Sequence, residues 1–284
     1  MTNINKRILN MIRTGFSNDD ICKELKISKK QLKYRLRCIK RGLDFYKPFY
    51  DDEKYNYVLD LNNPGKYFRA LAIADNHIGH AKENSKYLDM MYDYCVLNNI
   101  HFVLHCGDLL HGSKQCKRTL DEQINFLLNE YPSCKKITTF YAFGNHEEDF
   151  LNGLGVDLKQ IIENDRDDII PLGYGEKSIR IENISDELVI CHDGSFTKPY
   201  GIHLAGHSHR YKFVADEYVP LINVPTLSDF LHTNDFPGAV EIYIESLGLD
   251  MRHLVLEHLI INESNKIKQV SKMEQNSYKK YNRK

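Results

Sequence analysis

The sequence predicts an α/β domain preceded by a small all-α module. From residue 67 onward, short apolar runs alternate with helical patterns, which is typical of β-α-β units with a parallel sheet. Before residue 45, apolar residues recur at helical spacing only. Charge also divides the 284-residue chain, because residues 1–42 carry a net +9 and residues 263–284 a net +5, although the whole chain carries −1. We therefore expect a module over 1–45, a connector over 46–66, a domain over 67–262 and a basic tail over 263–284.

Apolar spacing and capping residues predict three helices in the first module. Isoleucines at positions 4, 8 and 12 lie on one face of a short first helix. Ser17 with Asp20, and Ser28 with Gln31, have the spacing of capping boxes. In a capping box, the side chain of each residue accepts a hydrogen bond from the backbone N–H of the other. These two pairs predict the starts of a second and a third helix.

Residues 15–32 resemble the helix-turn-helix of DNA-binding regulators. In that family the third helix enters the major groove through its N-terminal residues, which implies basic contacts here. The candidate contacts are Lys29, Lys30, Lys33 and Arg37. The alternative is a three-helix bundle whose basic face is only solvated or binds a protein. The +9 charge favours nucleic acid as the partner.

The remaining segments are read from composition and periodicity. Tyrosine and phenylalanine are frequent in the connector, so we expect it to dock on the domain that follows. In that domain, strands are predicted at 68–74, 101–106 and 137–143, and helices at 84–98 and 116–131. After about residue 176 the helical patterns stop, and the strand-like runs predict a second, mostly antiparallel sheet. The Lys-rich end, 266–284, has little apolar periodicity and is expected to be a mobile tail.

Polar clusters follow five of the predicted strands. They lie at residues 75–77, 107–108, 144–147, 192–193 and 206–209. Because ligand sites in α/β sheets lie at the carboxyl ends of strands, we expect these loops to meet. Imidazole and carboxylate groups without thiolate suit a divalent ion such as Mn, Fe or Zn. Seven candidate ligands exceed the needs of one ion and fit two that share a bridge.

These five clusters resemble the motifs of the calcineurin-like metallophosphoesterases. The resemblance spans residues 68–262 and implies a two-sheet metallophosphoesterase sandwich flanked by helices. It also implies a role for each residue: one ion takes Asp75, His77 and His209; the other takes Asn145, His192 and His207; Asp108 bridges both; and His146 is the catalytic histidine.

The resemblance implies in-line attack on phosphorus by a metal-bound hydroxide. Protein Ser/Thr phosphatases of this family have Asp followed by Arg where this chain has His111, which counts against that activity. The first two motifs are more similar to the nuclease branch typified by double-strand-break repair exonucleases. We therefore predict a phosphodiesterase or nuclease acting on nucleic acid, with His80 and His111 as candidates for orienting the substrate.

Two other functions fit the same residues. One is a phosphoesterase of a small nucleotide, with the N-terminal module as a regulatory or partner-binding element. The other is a DNA-binding regulator with a non-catalytic phosphoesterase-like domain, against which the intact ligand set argues. Seven cysteines without a C-x-x-C pair are typical of reduced thiols in the cytoplasm, where we expect the protein. No apolar run approaches the ~20 residues of a membrane helix, so no membrane partner is expected.

Overall fold

Two sheets, each of seven strands within the described part of the chain, pack face to face. The structure is a computed structural model that describes residues 3–27, 29, 32–33, 35–36, 49–50, 57–59, 67–114, 116–231, 235–248 and 250–279. Buried side chains of both sheets meet between them, among them Phe68, Leu104, Ile190 and Leu204. The predicted α/β two-sheet sandwich is therefore confirmed.

The elements are as follows in chain order. The strands are β1 (Phe49–Tyr50), β2 (Tyr57–Leu59), β3 (Tyr67–Ile73), β4 (Phe102–His105), β5 (Thr138–Ala142), β6 (Ile169–Gly173), β7 (Lys177–Ile181), β8 (Asp186–Ile190), β9 (Ile202–Ala205), β10 (Lys212–Val214), β11 (Leu221–Asn223), β12 (Gly238–Ser246), β13 (Met251–Ile261) and β14 (Ile267–Tyr278). The α-helices are α1 (Asn3–Arg13), α2 (Asn18–Leu25), α3 (Lys86–Leu97), α4 (Leu120–Asn125), α5 (Glu148–Leu154) and α6 (Leu158–Asp165). A π-helix, Phe126–Glu130, continues α4, and a 3₁₀ turn, Glu182–Ile184, follows β7.

The first sheet has the order β14-β13-β12-β3-β4-β5-β6. Strands β3 to β6 are parallel, as predicted for β3, β4 and β5, and β6 was not foreseen. Side chains of β3 alternate between the two faces. Phe68, Ala70 and Ala72 pack toward the other sheet, and Leu71 and Ile73 pack in a second core that includes residues of α3 to α6. This alternation fixes which side chains of β3 face each core and so specifies the register of the strand.

The second sheet has the order β1-β2-β7-β8-β9-β11-β10. It is mixed, because β8, β9 and β11 pair in parallel while β7 pairs antiparallel with β8. The prediction of one mostly antiparallel second sheet was therefore wrong. Strands β12 and β13 belong to the first sheet, since β12 pairs antiparallel with β3 over the registers of residues 240–245. An alternating apolar pattern does not encode which strand will be the partner.

The expectation of a mobile tail was also wrong for residues 267–278. They form β14, which pairs with β13 along its whole length. The end of this strand is held by the fully buried Arg252, whose guanidinium donates to the carbonyl of Tyr278 at 2.7 Å and to Ser277 Oγ at 2.8 Å. Lys279 Nζ donates to the carbonyl of Ile184 at 2.7 Å. Backbone pairing and these hydrogen bonds stabilise the strand, although its sequence has little apolar periodicity.

The N-terminal module begins as the sequence predicted. Ser17 caps α2, and its hydroxyl and the Asp20 carboxylate form both hydrogen bonds of a capping box. Ile8, Ile21 and Leu32 form a small buried core of their own. Most of the predicted third helix, including Lys30 and Arg37, lies outside the described residues.

The connector is described only at β1 and β2. Strand β2 pairs in parallel with β7, and the Tyr57 hydroxyl donates to the carbonyl of Pro171 at 3.0 Å. This part of the connector therefore docks on the domain, as its aromatic content predicted, and the rest of it falls outside the described residues. None of the helices in the described regions is long and apolar enough to span a membrane.

Candidate metal centre

Five loops at the carboxyl ends of β3, β4, β5, β8 and β9 carry the predicted site residues. Backbone hydrogen bonds join the loops to one another. The Asp75 N–H donates to the carbonyl of Gly107, the His77 N–H donates to that of Asp108, each at 3.0 Å, and the Gly206 N–H donates to that of His192 at 3.1 Å. The parallel strands thus bring the loops together, as the sequence predicted.

The backbone of this site adopts a conformation that side chains normally avoid. Nine residues other than glycine have a positive φ among those described, and five of them are predicted ligands. These five are Asp75, His77, Asp108, His207 and His209, with φ between 49° and 60°. A left-handed residue turns the chain sharply, and each costs on the order of 1 kcal/mol or more. The cost is concentrated where several polar side chains must point inward from short loops.

The first ligand group consists of Asp75, His77 and His209, whose ligand atoms all lie within 4.8 Å of one another. The Nε2 atoms of His77 and His209 are 3.0 Å apart. Asp75 Oδ1 lies 3.8 Å from His77 Nε2 and 3.5 Å from His209 Nε2. Two nitrogens bound to one ion at about 2.1 Å each are separated by about 3 Å, so this spacing fits a shared metal ion.

The second ligand group consists of Asp108, His192 and His207, again within 4.8 Å. His192 Nε2 lies 3.0 Å from Asp108 Oδ2. The imidazole of His207 is exposed and lies edge-on to that of His192, with ring centroids 5.2 Å apart. Asn145, the remaining predicted ligand, is exposed on the loop after β5, next to Gly144. A Cβ atom at Gly144 would overlap the Asp108 carboxylate, so this loop runs directly against that side chain.

Asp108 lies between the two groups. Its Oδ2 atom is 4.0 Å from His77 Nε2 on one side and 3.0 Å from His192 Nε2 on the other. Asp75 Oδ2 is buried and has no hydrogen-bond partner among the described residues. A buried carboxylate oxygen without a donor is costly unless a cation neutralises it. Together with the imidazole and carboxylate donor set, this oxygen indicates that the site fits divalent metal ions.

Carbonyl groups fix two of the imidazoles from behind. His192 Nδ1 lies 2.8 Å from the carbonyl oxygen of Cys106, and His209 Nδ1 lies 3.1 Å from that of Phe230. Each Nδ1 therefore donates to its carbonyl, and each Nε2 faces the centre, where it can bind a metal ion once it carries no proton. This arrangement is usual behind metal-binding histidines, where it sets both tautomer and orientation.

Three further histidines line one side of the centre. His111 Nδ1 lies 3.2 Å from His77 Nδ1, and the His111 ring stacks on that of His146 with centroids 4.7 Å apart. His146 Nδ1 donates to the His111 carbonyl at 2.7 Å, so its Nε2 points toward the centre, 4.0 Å from Asp108 Oδ2. The His80 ring lies 4.5 Å from that of His111. Burial lowers the pKa of His111 to about 4, so this imidazole is neutral at pH 7, and its Nδ1 shares a hydrogen bond with that of His77.

Charges within the centre are strongly coupled. Burial disfavours the charged form of His192, but contact with the Asp108 carboxylate outweighs burial and raises the pKa of His192 to about 9. Burial also opposes ionisation of Asp108, yet the hydrogen bond from His192 holds the pKa of Asp108 below its usual value. Burial raises the pKa of Asp75 well above its usual value, and the charge of Asp108 adds to this. Metal ions would replace the proton on His192 as the countercharge.

Glu147 is the main residue that the sequence reasoning passed over. It belongs to the predicted cluster at 144–147, but it received no role. Its buried carboxylate accepts from the N–H groups of Asp108, Leu110 and Gly144 at 3.1, 2.9 and 2.7 Å. It therefore ties the loops after β4 and β5 together behind the metal centre. The only sequence signal was an acidic residue three positions after a glycine that itself ends a strand.

The basic residues assigned to DNA contacts lie elsewhere. Lys29 and Lys33 are exposed, and Lys29 Nζ lies 2.8 Å from Asp19 Oδ1 on the surface of the N-terminal module. An exposed pair of this kind is screened by solvent, so it does not prevent Lys29 from contacting another partner. Lys30 and Arg37 are outside the described residues.

The sequence of this domain matches a known family, and solved structures resemble it. Residues 68–250 match the family model described as calcineurin-like phosphoesterase. Similar solved structures include a conserved uncharacterized protein, a predicted phosphoesterase, from Streptococcus pneumoniae TIGR4, with 15% identity, a TM-score of 0.45 and coverage of 74% of this chain and 98% of that one. Yfce, a phosphoesterase from E. coli, has 15% identity, a TM-score of 0.44 and coverage of 72% and 98%. An archaeal phosphodiesterase has 15% identity, a TM-score of 0.44 and coverage of 73% and 100%. Among curated proteins, no sequence matches the chain.

Proposed function

Because the chain belongs to the calcineurin-like phosphoesterase family and is a metal-dependent hydrolase of phosphate esters, we propose that it is a two-metal phosphodiesterase acting on nucleic acid. The observation that carries this proposal is the position of Asp108, whose Oδ2 lies between the imidazole of His77 and that of His192. Asp75, His77 and His209 would hold one ion, Asn145, His192 and His207 would hold the other, and Asp108 would contribute to both. Divalent ions held there would lower the pKa of bound water and stabilise the charge that develops on the phosphoryl oxygens.

The side chains around the ions supply orientation and a proton. His146 is one-quarter exposed, which leaves its imidazole within reach of a substrate, and its Nδ1 is fixed by the His111 carbonyl. We assign His146 Nε2 the protonation of the leaving oxygen. His111 forms a hydrogen bond with His77 through the Nδ1 atoms of the two rings, which helps to orient His77. His80 stands at the outer side of His111, where it contributes to orienting the substrate.

Nucleic acid is proposed as the substrate because of the N-terminal module. Residues 1–42 carry a net charge of +9. The described helices α1 and α2 pack through Ile8 and Ile21, and Lys29 and Lys33 are exposed. We propose that this module is a helix-turn-helix that brings a polyanion to the phosphodiesterase domain. The module adds affinity by charge, whereas the metal centre carries out the hydrolysis.

The reaction is tested with Mn²⁺, or with Zn²⁺ in parallel, on labelled single-stranded and double-stranded DNA and on bis-p-nitrophenyl phosphate. We expect hydrolysis of DNA and its loss in Asp108→Ala, because neither ligand group is complete without the shared carboxylate. Asp121→Ala is the matched control, since Asp121 is exposed on α4. Hydrolysis of the chromogenic diester alone would favour a small-nucleotide phosphoesterase. Bound metal without turnover of any substrate would contradict the enzymatic proposal altogether.

The module is tested separately by DNA affinity. Lys29→Ala with Lys33→Ala should weaken DNA binding and reduce its salt dependence by about two counterions. The control changes Lys135 and Lys136, which are exposed on the phosphoesterase domain, in the same way. Equal affinities of the two double variants would show that the N-terminal lysines do not contact DNA.

A further inference from the structure

An exposed aromatic ring stands beside the first ligand group. Phe230 is 39% exposed, although it is a large apolar side chain. Its ring centroid lies 5.0 Å from that of His209, 4.9 Å from that of His80 and 5.7 Å from that of His77. One side of the ring therefore contacts the histidines of the site, and part of it remains open to solvent at the mouth of the site.

The loop that carries Phe230 is bonded to the site at several points. The Phe230 carbonyl accepts from His209 Nδ1 at 3.1 Å. The Phe230 N–H donates to Ser228 Oγ at 3.3 Å, Ser228 Oγ lies 2.8 Å from Thr226 Oγ1, and Thr226 Oγ1 donates to the Asp75 carbonyl at 2.6 Å. The loop backbone is therefore fixed relative to His209 and Asp75, two ligands of the same metal group, and the ring is placed by its contacts with the neighbouring histidines. An aromatic group held rigidly beside a reaction centre binds a partner ring at low entropic cost.

A cation lies next to the same ring. Lys82 Nζ is 5.5 Å from the Phe230 ring centroid, and the Lys82 carbonyl accepts from the Asp229 N–H at 3.0 Å. Asp229 in turn accepts from the Tyr87 hydroxyl at 2.8 Å, which anchors this corner to α3. An exposed ring with an exposed ammonium group beside it matches a nucleotide unit, in which a flat base and a phosphate lie close together.

We propose that Phe230 is a stacking platform for a nucleobase of the substrate, adjacent to the phosphodiester that is hydrolysed. This inference rests on the proposed phosphodiesterase function and adds the feature that selects the substrate, namely a base next to the scissile phosphate. Stacking accepts any base, so the subsite selects nucleotides over other diesters without reading their sequence. Lys82 contributes charge toward the neighbouring phosphate.

The test compares substrates that differ only in the base. One pair is a single-stranded oligothymidylate and the same oligonucleotide with abasic units flanking the scissile phosphate. The other pair is a thymidine methyl phosphodiester and its counterpart without the base. We expect the wild-type protein to have a higher kcat/KM for the base-bearing member of a pair. Phe230→Ala should reduce this preference by about tenfold, chiefly through KM, so the ratio of kcat/KM between the two members of a pair is the quantity compared.

Two control variants separate stacking from a general effect on the fold. Phe230→Trp keeps a flat ring and should retain the preference. Tyr67→Ala removes an aromatic ring that is 41% exposed at the amino end of β3, the end of the strand opposite to the site, and should leave the preference unchanged. A preference limited to the oligonucleotide pair identifies a polymer base as the ligand, and one in both pairs shows that a single nucleotide suffices.

The outcomes distinguish this inference from the proposed function. Hydrolysis by the wild type with equal kcat/KM for base-bearing and abasic substrates would contradict the stacking platform alone. An unchanged preference in Phe230→Ala would do the same. A wild type that hydrolyses none of the four substrates with Mn²⁺ or Zn²⁺ would contradict the proposed function and this inference with it.

Discussion

Glu147 offers a sharp test of how the metal centre is held together. Its carboxylate is fully buried and accepts four hydrogen bonds. The donors are the N–H groups of Asp108, Leu110 and Gly144 and the hydroxyl of Tyr141, at 3.1, 2.9, 2.7 and 2.6 Å. Replacement by alanine leaves all four donors without their acceptor in the protein interior. Each such group costs about 1–3 kcal/mol.

We therefore expect Glu147→Ala to lower the free energy of unfolding by about 4 kcal/mol or more, a large part of the ~5–15 kcal/mol of a typical domain. Glu147→Gln keeps the shape but turns one acceptor oxygen into a donor amide, so about half of that loss is expected. The free energy of unfolding is measured by urea denaturation of the metal-free protein, followed by circular dichroism. Glu148→Ala is the matched control because Glu148 is exposed, and it should change stability by less than about 0.5 kcal/mol.

The same variants also test the link to the metal site. Because Glu147 binds the backbone N–H of Asp108, its loss should weaken metal binding even where the protein still folds. Metal affinity of Glu147→Gln is measured by isothermal titration calorimetry, and a loss of about tenfold or more is expected. The reasoning is refuted if Glu147→Ala is no less stable than Glu148→Ala, or if Glu147→Gln binds metal as tightly as the wild type.

Three further predictions concern protons and buried contacts. The pKa of His192, raised to about 9, means that its charge adds stability to the metal-free protein below pH 6.5 and that this stability is lost as pH rises through 9. Metal binding at pH 7 should therefore release at least one proton, from His192 and also from Asp75 where that carboxyl is protonated, measured by calorimetry in buffers of different ionisation enthalpy, and no release would contradict the assignment. His111→Ala should weaken metal affinity by about 10–100-fold because the Nδ1 of His77 loses its hydrogen-bond partner, and unchanged affinity would contradict this role. Asp186→Ala should lower the free energy of unfolding by about 3–5 kcal/mol in urea denaturation, because the buried charge of Arg252 loses its partner at 2.7 Å. The double variant with Arg252→Ala should recover part of this loss. Equal stability of Asp186→Ala and the wild type would contradict the prediction.

The loops of the metal centre were predictable because two simple rules act together. Parallel strands align their carboxyl ends, and each polar cluster begins where an apolar run stops. Asp75 after β3 and Asp108 after β4 obey both rules, so their meeting follows from the order of residues along the chain. The assignment of a separate ligand set to each ion came instead from a family resemblance. Spacing alone did not divide the ligands.

Strand partners were not predictable in the same way. The runs that became β12 and β13 alternate as any half-buried strand does, and this pattern suits an edge of either sheet. Their place beside β3 is decided by packing between the sheets. The strand β14 is harder still, because residues 267–278 are mostly exposed and its stability comes from backbone pairing with β13 and from contacts of the buried Arg252. None of these interactions leaves an apolar period in the sequence.

The contacts that two further side chains make with the site could not be predicted for a related reason. Phe230 lies in a loop after the last predicted motif, and only the folded structure places its ring against His77 and His80. Glu147 lies within a motif, yet its role depends on the direction of its carboxylate, which points away from the metal centre to the backbone of Asp108. Motif spacing identifies residue types that suit a chemistry. It does not show which residue of a motif faces the metal centre and which one holds the surrounding backbone in place.

The charge of the chain is consistent with a polyanionic substrate once burial is considered. Residues 43–262 carry a net −15, which by itself would repel a polyanion. Asp75, Asp108 and Glu147 contribute to that charge, but all three are buried at the metal centre. Two divalent ions would contribute four positive charges at this point, so the local field at the site has the opposite sign to the net charge of the domain. Attraction of the proposed phosphodiester substrate would therefore depend on bound metal. If the proposal is right, binding of DNA by the phosphoesterase domain should fall when the ions are removed with a chelator, whereas binding by the N-terminal module should not.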